Sequence, residues 1–508
     1  MTQSDSSILH IARQQKSYLR HLSNEFSKPS AERDSTLIAF WEDKANIVEK
    51  DLVRSVSGYG DLVRQVSWQE VQQKLSTGSA AIEFVSYQYY TPKPTDSTIY
   101  AALVLLPSDT SPHFIPLFEE RQLQALLNRP GLSEKLVLKD LYGNSSELRR
   151  LLWDPLEPLL RDVKTIYYSP SGLLHRLNPA ALLDASNQTL SVRRQWVRVG
   201  STRELVTGRL ADRSFASSPE GNSDNTLTAM VYGGITYDMD SLAFSSANPP
   251  VLLDSTENPL RKDGAFSYII TEQPSGKASD TRGNPDGTWG ALTATEQEAD
   301  QVSNMLVDAG FRTFKQKGFS ASEDQFKQIG ANAPSPRILH LATHGFAYSD
   351  PKKDPPKGFG DSEPTYKLLD DPMLRSGLVL AGANYYWKNK RPLANREDGV
   401  LVAYEVRDLN LRNTELAVLS ACQTGLGDIV GSEGVYGLQR AFRIAGVKFL
   451  IVSLWEVPDE QTQELMRLFY QNWLEKKESL RDAFNNAQQR LQEKEPNPYM
   501  WAGFVLIE

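Results

Sequence analysis

The sequence predicts an α/β fold in which a largely parallel sheet is covered by helices on both faces. Two apolar runs, within Ile338 to Phe346 and Leu416 to Gly427, end at glycine-containing turns, as buried parallel strands do. Further short apolar runs alternate with segments whose apolar residues recur at helical spacing. Strands that alternate with helices favour parallel pairing, with the helices packed against the sheet.

Composition narrows the class of protein. The chain of 508 residues carries 55 Lys and Arg against 63 Asp and Glu, which gives a formal charge of −8. This acidic balance argues against nucleic-acid binding. One cysteine cannot form an internal disulfide, and nothing in the sequence suggests a zinc cluster. No run approaches the roughly 18 apolar residues of a membrane span, and residues 1–20 lack an apolar signal core. We therefore expect a cytoplasmic globular protein of about two to four domains, without a membrane segment, metal or cofactor.

The first predicted region, residues 1–78, is helical and polar. Apolar residues recur at helical spacing in two segments: Ile8, Ile11, Tyr18, Leu19 and Leu22, then Leu37, Phe40, Trp41, Ile47 and Val48. The region serves either as an arm that docks a partner or as a helical layer packed on the next domain. The pattern favours the helical layer.

The second predicted region, residues 79–215, alternates strands with helices. The predicted strands are Ala80 to Tyr87, Thr98 to Leu106 and Thr165 to Tyr168, and the predicted helices are Glu119 to Leu127 and Ser145 to Leu160. A turn of small residues, Ser169 to Gly172, follows the last of these strands. His175 comes next, but no nucleophile accompanies it, so we interpret it as structural.

The third predicted region, residues 226–508, begins with a strand at Leu227 to Tyr232. A helix starts near Thr293, where Thr295 and Glu298 have the spacing of a capping box. A polar loop with five prolines, Ala347 to Leu374, leaves the predicted strand at Ile338 to Phe346, so we expect it to border a cleft. Further predicted strands are Phe311 to Phe314, Val447 to Leu454 and Ala502 to Ile507, and further predicted helices are Ser322 to Ile329 and Gly434 to Ala445. Two more helices are predicted near the end of the chain, one lined by Leu465, Leu468, Phe469 and Trp473 and the other by Leu480, Ala483, Phe484, Ala487 and Leu491.

Two reactive side chains stand where predicted strands end. His344 is followed at once by Gly345, and Cys422 is followed by a short turn. Ligands of parallel sheets bind at the carboxyl ends of the strands. A thiol and an imidazole at that edge form a cysteine nucleophile with a histidine base, and Gly345 leaves a backbone N–H open beside them. The alternative is that Cys422 is a buried apolar residue and His344 a structural one.

Five stretches carry a family resemblance. HLATHGF, LSACQTGLG, GVYGLQRAFRIAG, SLWEV and WAGFVLIE occur in this order and resemble the CHAT domain of the caspase and separase clan of cysteine peptidases. The resemblance is specific over about 292–508 and looser over about 80–194. It implies a caspase-like fold, Cys422 as nucleophile, His344 as general base, and oxyanion donors at the N–H groups of Gly345 and Cys422. It also implies that 79–215 is a catalytically empty caspase-like half and 226–508 the catalytic half.

The segment Ser453 to Asp459 bears on specificity. It follows the strand after the cysteine strand, so we expect it to border the substrate pocket and Trp455 to contact the substrate. Glu456 matches the acidic residue of a similar segment in separase, which cuts after arginine, and a carboxylate there selects Arg or Lys. Asp459 is the alternative acid, or else caps a helix. Ser420 departs from the acidic residue that metacaspases carry two positions before the nucleophile.

Taken together, these patterns predict a regulated cysteine endopeptidase that cleaves a protein partner, after Arg or Lys, through a thioester. The alternatives are a catalytically silent caspase-fold scaffold or signalling module and, less favoured, an acyl transferase that uses the same thiol. Relatives often carry tetratricopeptide repeats, but no period of ~34 residues appears here. Such repeats are therefore absent or supplied by a regulatory partner. His340, four residues before His344, either orients His344 or packs in the core.

Overall fold

A computed structural model describes most of the chain. The described ranges are 66–143, 146–207, 227–240, 288–347, 372–389, 396–421, 424–425, 427–429 and 435–508, with isolated positions elsewhere. The chain divides into two compact units, of which the first comprises Met1–Ser67, Val251–Gly276 and Asp350–Asp371. The second unit comprises Trp68–Pro250, Lys277–Ser349 and Pro372–Glu508. The predicted loop from 347 to 374 lies largely outside the described residues.

The first unit is described at scattered positions. Tyr18 stacks on Trp41, with ring centroids 5.7 Å apart. The Asp34 carboxylate accepts the backbone N–H groups of Thr36 and Leu37 at 2.9 and 3.2 Å, as the side chain of a helix N-cap does. Positions 36, 37, 40 and 41 are helical, as their apolar spacing predicts. Ile47 and Val48 are helical too, and Trp68–Gln72 forms the one described helix between 66 and 78. Ile8, Ile11, Leu19 and Leu22 lie outside the described residues.

Sixteen strands are described in the second unit. The strands before residue 226 are β1 (Ser79–Thr91), β2 (Lys93–Leu105), β3 (His113–Glu119), β4 (Thr165–Ser169) and β5 (Gln195–Arg198). The strands after it are β6 (Thr228–Ile235), β7 (Arg312–Gly318), β8 (Ile338–Ala342), β9 (Gly345–Ala347), β10 (Ser376–Val379), β11 (Val400–Val402), β12 (Leu416–Ser420), β13 (Gly427–Ile429), β14 (Val435–Gly437), β15 (Phe449–Ser453) and β16 (Phe504–Ile507).

Helices connect these strands. They are α1 (Trp68–Gln72), α2 (Glu120–Leu127), α3 (Glu134–Gly143), α4 (Glu147–Leu152), α5 (Glu157–Leu160), α6 (Leu190–Arg193), α7 (Glu204–Thr207), α8 (Thr293–Asp308), α9 (Glu323–Phe326), α10 (Ala383–Asn389), α11 (Ala403–Val406), α12 (Leu438–Ala445), α13 (Asp459–Tyr470) and α14 (Leu480–Lys494). Short 3₁₀ turns lie at Gly172–Arg176, Pro179–Ala181, Pro372–Leu374 and Pro498–Met500, and a π-helical turn at Gln471–Glu475 extends α13. Among the described helices, none has both the length and the apolar character to cross a membrane.

Eleven strands form one sheet in the order β3-β2-β1-β4-β5-β16-β15-β12-β8-β6-β7. All five residues of β8 and of β12 are buried, as expected of central parallel strands covered on both faces. Strands β9, β10 and β11 form a separate three-stranded antiparallel sheet. The prediction of an α/β fold with a large, mostly parallel sheet is confirmed.

Three antiparallel strand pairs interrupt this pattern. The β1-β2-β3 edge is antiparallel, and so is the pair of β15 with β16. Two successive helices, α13 and α14, lie between β15 and β16 and return the chain to the end of the sheet from which β16 starts. Because β16 runs parallel to β5, the β1-β4-β5 block and the β15-β12-β8-β6-β7 block run in opposite directions. The turn at Ser169 to Gly172 therefore leaves the sheet at the edge opposite to His344.

Three predicted elements differ in detail. The helix predicted from Gly434 to Ala445 begins only at Leu438, because Val435–Gly437 forms β14. The predicted helix from Ser145 to Leu160 is two helices, α4 and α5, because Pro155 lacks an N–H and restricts the residue before it. Helix α8 begins at Thr293, as predicted, but the predicted capping box of Thr295 and Glu298 is wrong. The N-cap is Leu292, and the Glu298 carboxylate bonds to His340. Strand β3 and helix α3 were not predicted.

Candidate active site

The histidine strand β8 and the cysteine strand β12 are neighbours in the sheet. They pair in parallel, and their register sets Ala342 opposite Ser420. His344 follows Ala342 by two residues, and Cys422 follows Ser420 by two residues. Neighbouring strands lie about 4.7–4.9 Å apart. The two chain segments therefore leave the sheet side by side, at its carboxyl edge.

Cys422 itself lies outside the described residues, but the chain is described on either side of it. Thr424 is buried, and its hydroxyl donates to the carbonyl oxygen of Leu419 at 3.2 Å. The Ser453 backbone N–H donates to Thr424 Oγ1 at 3.1 Å, and the Gly425 N–H donates to the Ser453 carbonyl oxygen at 2.8 Å. The chain that follows Cys422 is thus bonded to β12 and β15 through Thr424 and Gly425.

The orientation of the His344 ring follows from one hydrogen bond. His344 Nε2 lies 2.7 Å from the carbonyl oxygen of Gly290. A carbonyl oxygen only accepts, so Nε2 carries the proton. In the neutral imidazole this leaves Nδ1 as the basic nitrogen, which is the nitrogen that a thiol would protonate. The role of Gly290 was not predicted, because a backbone carbonyl has no side-chain signature.

Aromatic rings hold the His344 imidazole. Its side chain is buried, and the rings of Tyr237 and Trp289 lie 5.0 and 5.1 Å away between centroids. The Tyr237 hydroxyl is 2.9 Å from the Thr343 hydroxyl, which fixes the residue before His344 to the same wall. These contacts restrict the orientation of the imidazole, and a general base must be held in one orientation to accept a proton efficiently.

Gly345 begins β9, which pairs with β10. The Val379 N–H donates to the His344 carbonyl oxygen at 2.9 Å, and the register sets Leu378 opposite Gly345. Hydrogen-bonded and non-hydrogen-bonded pairs alternate in antiparallel ladders, so Leu378 and Gly345 form a non-hydrogen-bonded pair. The Gly345 N–H consequently points away from β10, which is the orientation that an oxyanion donor needs.

A small cavity of about 20 Å³ lies at the carboxyl ends of β8, β12 and β15. Three of the predicted specificity residues, Ser420, Trp455 and Asp459, line it. Helix α8 adds Thr295 and Glu298, which the sequence did not indicate. A space of this size admits a water molecule, so a longer side chain would enter only if the lining moved.

Glu456 is separated from this lining. It is half-buried, and its carbonyl oxygen accepts the Tyr499 hydroxyl at 2.7 Å. Asp459 is the first residue of α13, whose N-cap is Pro458. The carboxylates that border the cavity are therefore those of Glu298 and Asp459.

Trp455 lies between the small cavity and helix α3 of the first half of the chain, residues 79–215. It is buried, its ring centroid lies 5.3 Å from that of Tyr142 in α3, and its Nε1 donates to the Tyr499 carbonyl oxygen at 3.0 Å. On its other side Trp455 borders a second cavity of about 260 Å³, which is lined by residues of α2 and α3. One side chain thus forms a wall of both cavities.

His340 is not directed at His344. Its Nε2 lies 3.0 Å from Glu298 Oε1, and its Nδ1 lies 3.2 Å from the Tyr470 hydroxyl. All three side chains are buried between β8 and the helices α8 and α13. Burial, and then the Glu298 charge, raise the pKa of Tyr470 well above its usual value. Of the two predicted roles for His340, core packing is confirmed.

His175, in the first half, is buried beside Arg198. An Nη2 of Arg198 lies 3.3 Å from His175 Nδ1 and donates to the His175 carbonyl oxygen at 3.1 Å. Burial, and then the Arg198 charge, lower the pKa of His175 to about 3. The imidazole is therefore neutral at physiological pH and packs as a structural residue.

Within the described ranges, Glu323, Glu397 and Glu405 are the only carboxylates grouped closely enough to ligate a metal ion. The Lys327 ammonium already lies among them, with Nζ at 2.5, 3.2 and 2.5 Å from their oxygens. Glu323 Oε2 also accepts the Gly399 N–H at 2.9 Å, next to β11. Lysine thus supplies the positive charge of this cluster.

Curated relatives match a short part of the chain. Tetratricopeptide repeat protein 28 of Mus musculus and of Homo sapiens are each 34% identical over 111 residues, which is 21% of this chain. The match covers 4% of the length of those proteins.

Two solved structures have a low similarity to this chain. The Arg-specific cysteine proteinase gingipain R gives a TM-score of 0.36 at 10% identity, over 75% of this chain and 68% of that one. The complex of the Porphyromonas gingivalis RgpB pro- and mature domains gives 0.34 at 9% identity, over 75% and 70%.

The family assignment rests on a match that spans most of the chain. The sequence profile of the CHAT domain matches residues 144–508, which include β8, β12 and every residue around the candidate site. The matched region contains the motifs that predicted the family, with β8 directly before His344 and β12 ending at Ser420. The chain belongs to the CHAT domain family.

Proposed function

We propose that this chain is a regulated cysteine endopeptidase that cleaves a protein partner after Arg or Lys. The observation that supports it most strongly is the bond from His344 Nε2 to the Gly290 carbonyl oxygen, at the edge where the β8–β12 register directs Cys422. This bond selects the tautomer that a thiol proton acceptor requires.

The proposed reaction has two stages. His344 Nδ1 takes the Cys422 thiol proton, and the thiolate attacks the peptide carbonyl carbon. The resulting oxyanion is held by the N–H groups of Gly345 and Cys422, each worth a few kcal/mol (about 3) of transition-state stabilisation. His344 then protonates the leaving amine nitrogen as the C–N bond breaks, and water hydrolyses the thioester.

Specificity for a basic residue is supported by the carboxylates of the small cavity. Glu298 is buried, and Asp459 lies at the mouth of the same space. A carboxylate in a dry pocket selects a guanidinium or ammonium group. We therefore assign the preference to Glu298 and Asp459, with Ser420 and Trp455 as walls and without a direct role for Glu456.

Regulation is supported by the size of the cavity and by its shared wall. Entry of an Arg or Lys side chain requires the lining to move, and Trp455 also contacts Tyr142 of the first half. A partner that binds the first half would act on the pocket through this contact. A tetratricopeptide-repeat protein is the proposed class of partner, since relatives of that name share part of this sequence.

The test is cleavage of fluorogenic peptides that end in Arg, Lys, Asp or Leu before the reporter. We expect hydrolysis after Arg and Lys, and none by Cys422→Ala or His344→Ala. The assay is repeated after the purified chain has been incubated with extract of its source cells, which supplies a partner if the enzyme is latent. No cleavage under either condition, with Cys422 inert to a basic thiol-directed peptide probe, would contradict the proposal and favour the scaffold.

A further inference from the structure

Both polar atoms of the Asn384 side-chain amide form hydrogen bonds to Trp289, whose ring contacts His344. Asn384 is 1% exposed and lies in the first turn of α10. Its Oδ1 accepts the Trp289 backbone N–H at 2.8 Å, and its Nδ2 donates to the Trp289 carbonyl oxygen at 3.0 Å. Nδ2 also donates to Asp238 Oδ1 at 3.1 Å. Since a backbone N–H requires an acceptor and a carbonyl a donor, only one orientation of the amide satisfies these bonds.

Trp289, which Asn384 holds, directly precedes Gly290, whose carbonyl oxygen accepts the N–H of the His344 imidazole. Trp289 is bonded at both backbone groups, as a strand residue would be by its neighbour, and its ring packs on His344. Gly290 follows directly and presents the carbonyl oxygen that accepts His344 Nε2–H. Glycine has the widest range of backbone conformations, so its carbonyl direction depends on how the adjacent residue is held.

Asn384 also anchors a second contact of the imidazole. The Asn384 backbone N–H donates to the Tyr237 carbonyl oxygen at 3.0 Å, and the Tyr237 ring is the other aromatic neighbour of His344. Three contacts of the imidazole thus lead back to one buried asparagine: both rings and the Gly290 carbonyl.

We infer that Asn384 is a positioning residue, which holds the Trp289–Gly290 backbone so that His344 keeps its proton on Nε2 and presents Nδ1 to Cys422. The inference rests on the proposed function of the site. Asn384 touches neither substrate nor reacting atoms. Its effect is on the basicity and direction of the imidazole, and through them on the thiol.

The decisive substitution is Asn384→Asp, which is nearly isosteric. One carboxylate oxygen still accepts the Trp289 N–H, but the other faces the Trp289 carbonyl oxygen and Asp238 without a proton to donate. We expect the Gly290 carbonyl to shift and the tautomer preference to weaken. Asn384→Ala is the second variant, because it removes both bonds without adding charge.

Cys422 is the only cysteine, so alkylation by iodoacetamide, followed by intact mass, reports this site alone. We expect rapid alkylation of the wild type at pH 6, where an ordinary thiol of pKa about 8.5 is slow. Asn384→Asp and Asn384→Ala should lower that rate about tenfold or more and move the pH profile towards an ordinary thiol. In peptide cleavage they should lower kcat with little change in KM.

The matched control is Asn178→Asp. Asn178 is also buried, its Oδ1 accepts the Ala180 N–H at 3.2 Å, and its Nδ2 donates to the Ala502 carbonyl oxygen at 2.9 Å. It lies in the first half and should leave the alkylation profile unchanged. Thermal melting establishes that each variant is folded at the assay temperature.

The outcomes separate the inference from the proposed function. If the wild-type rate of Cys422 alkylation is high at pH 6 and both Asn384 variants keep that pH dependence, the positioning role is overturned. It is also overturned if Asn178→Asp changes the pH dependence as much as the Asn384 variants do. An ordinary thiol profile in the wild type, identical to that of His344→Ala, would instead contradict the cysteine–histidine site and remove the role with it.

Discussion

His344 donates its Nε2–H to the carbonyl oxygen of Gly290 over 2.7 Å, across 54 residues of sequence. This bond sets the tautomer of a buried histidine that lies between two aromatic rings at the carboxyl edge of a parallel sheet. The β8–β12 register brings the cysteine segment to the same edge.

Replacement of His344 by alanine should abolish most activity. A positioned acid–base group contributes about 10²–10⁴-fold to the rate, so kcat/KM for an Arg peptide should fall by that factor. His175→Asn is the matched control, since it alters a buried histidine of the first half and should leave kcat/KM within about twofold. Equal losses in both variants would mean that His344 acts only through the fold.

Neutralising the buried carboxylate of the small cavity should reduce the preference for basic residues. Glu298→Gln removes a charge that would pair with Arg or Lys, and hydrogen bonds to charged groups are worth about 1.5–3 kcal/mol. We expect kcat/KM for Arg peptides to fall roughly 10–100-fold, with little change for poor Leu substrates. The measurement is the ratio of kcat/KM values between the two peptides.

Glu456→Gln is the control for that variant, because Glu456 lies outside the lining. It should leave the ratio unchanged, and Asp459→Asn should have an intermediate effect. If Glu456→Gln alone collapsed the ratio, the preference would belong to the residue that the sequence motif suggested.

Acid should destabilise the fold through His175. Burial, then Arg198, lower its pKa to about 3, whereas an unfolded histidine titrates near 6.5. Between these values the unfolded chain binds a proton that the folded chain does not, so stability falls as pH falls below about 6.5. His175→Asn removes this contribution of about 1.4 kcal/mol per pH unit. Urea denaturation at pH 7 and pH 5 should show the free energy of unfolding of the wild type falling more than that of His175→Asn.

Neutral pH should destabilise the cluster around Lys327. Burial, then the charge of Glu405, raise the pKa of Asp398 to about 7. An unfolded aspartate titrates near 3.9, so the unfolded chain releases its proton first and stability falls as pH rises from about 4 to about 7. Asp398→Asn can still accept the Val400 N–H. Its melting temperature relative to wild type should be higher at pH 8 than at pH 5, and an equal difference at both values would contradict the assignment.

Local sequence pattern was sufficient for the strands that carry the site. Apolar runs that end in glycine-containing turns identified β8 and β12, because a strand buried on both faces needs an unbroken apolar sequence. The family motifs suggested Ser420, Trp455, Glu456 and Asp459 as pocket residues. Ser420, Trp455 and Asp459 line the small cavity and Glu456 does not. A motif gives the position of a residue along the chain and not the direction of its side chain.

Long-range polar partners were beyond such reasoning. Thr295 and Glu298 have capping spacing, but Glu298 bonds His340, 42 residues away, because a buried carboxylate gains more from a buried imidazole than from a helix end. Gly290 contributes only a carbonyl oxygen, and Asn384 acts through backbone groups 95 residues away. These partners are fixed by tertiary packing, which leaves no periodic trace in the sequence.

The most direct measurement is covalent labelling of the chain with an arginine acyloxymethyl ketone, followed by intact mass and mapping of the modified residue. The proposed site predicts one adduct, on Cys422, that forms much faster than with the matching aspartate reagent and is lost in His344→Ala. A wild-type protein that is alkylated at Cys422 by iodoacetamide yet takes up neither ketone faster than His344→Ala does would contradict the cysteine–histidine site.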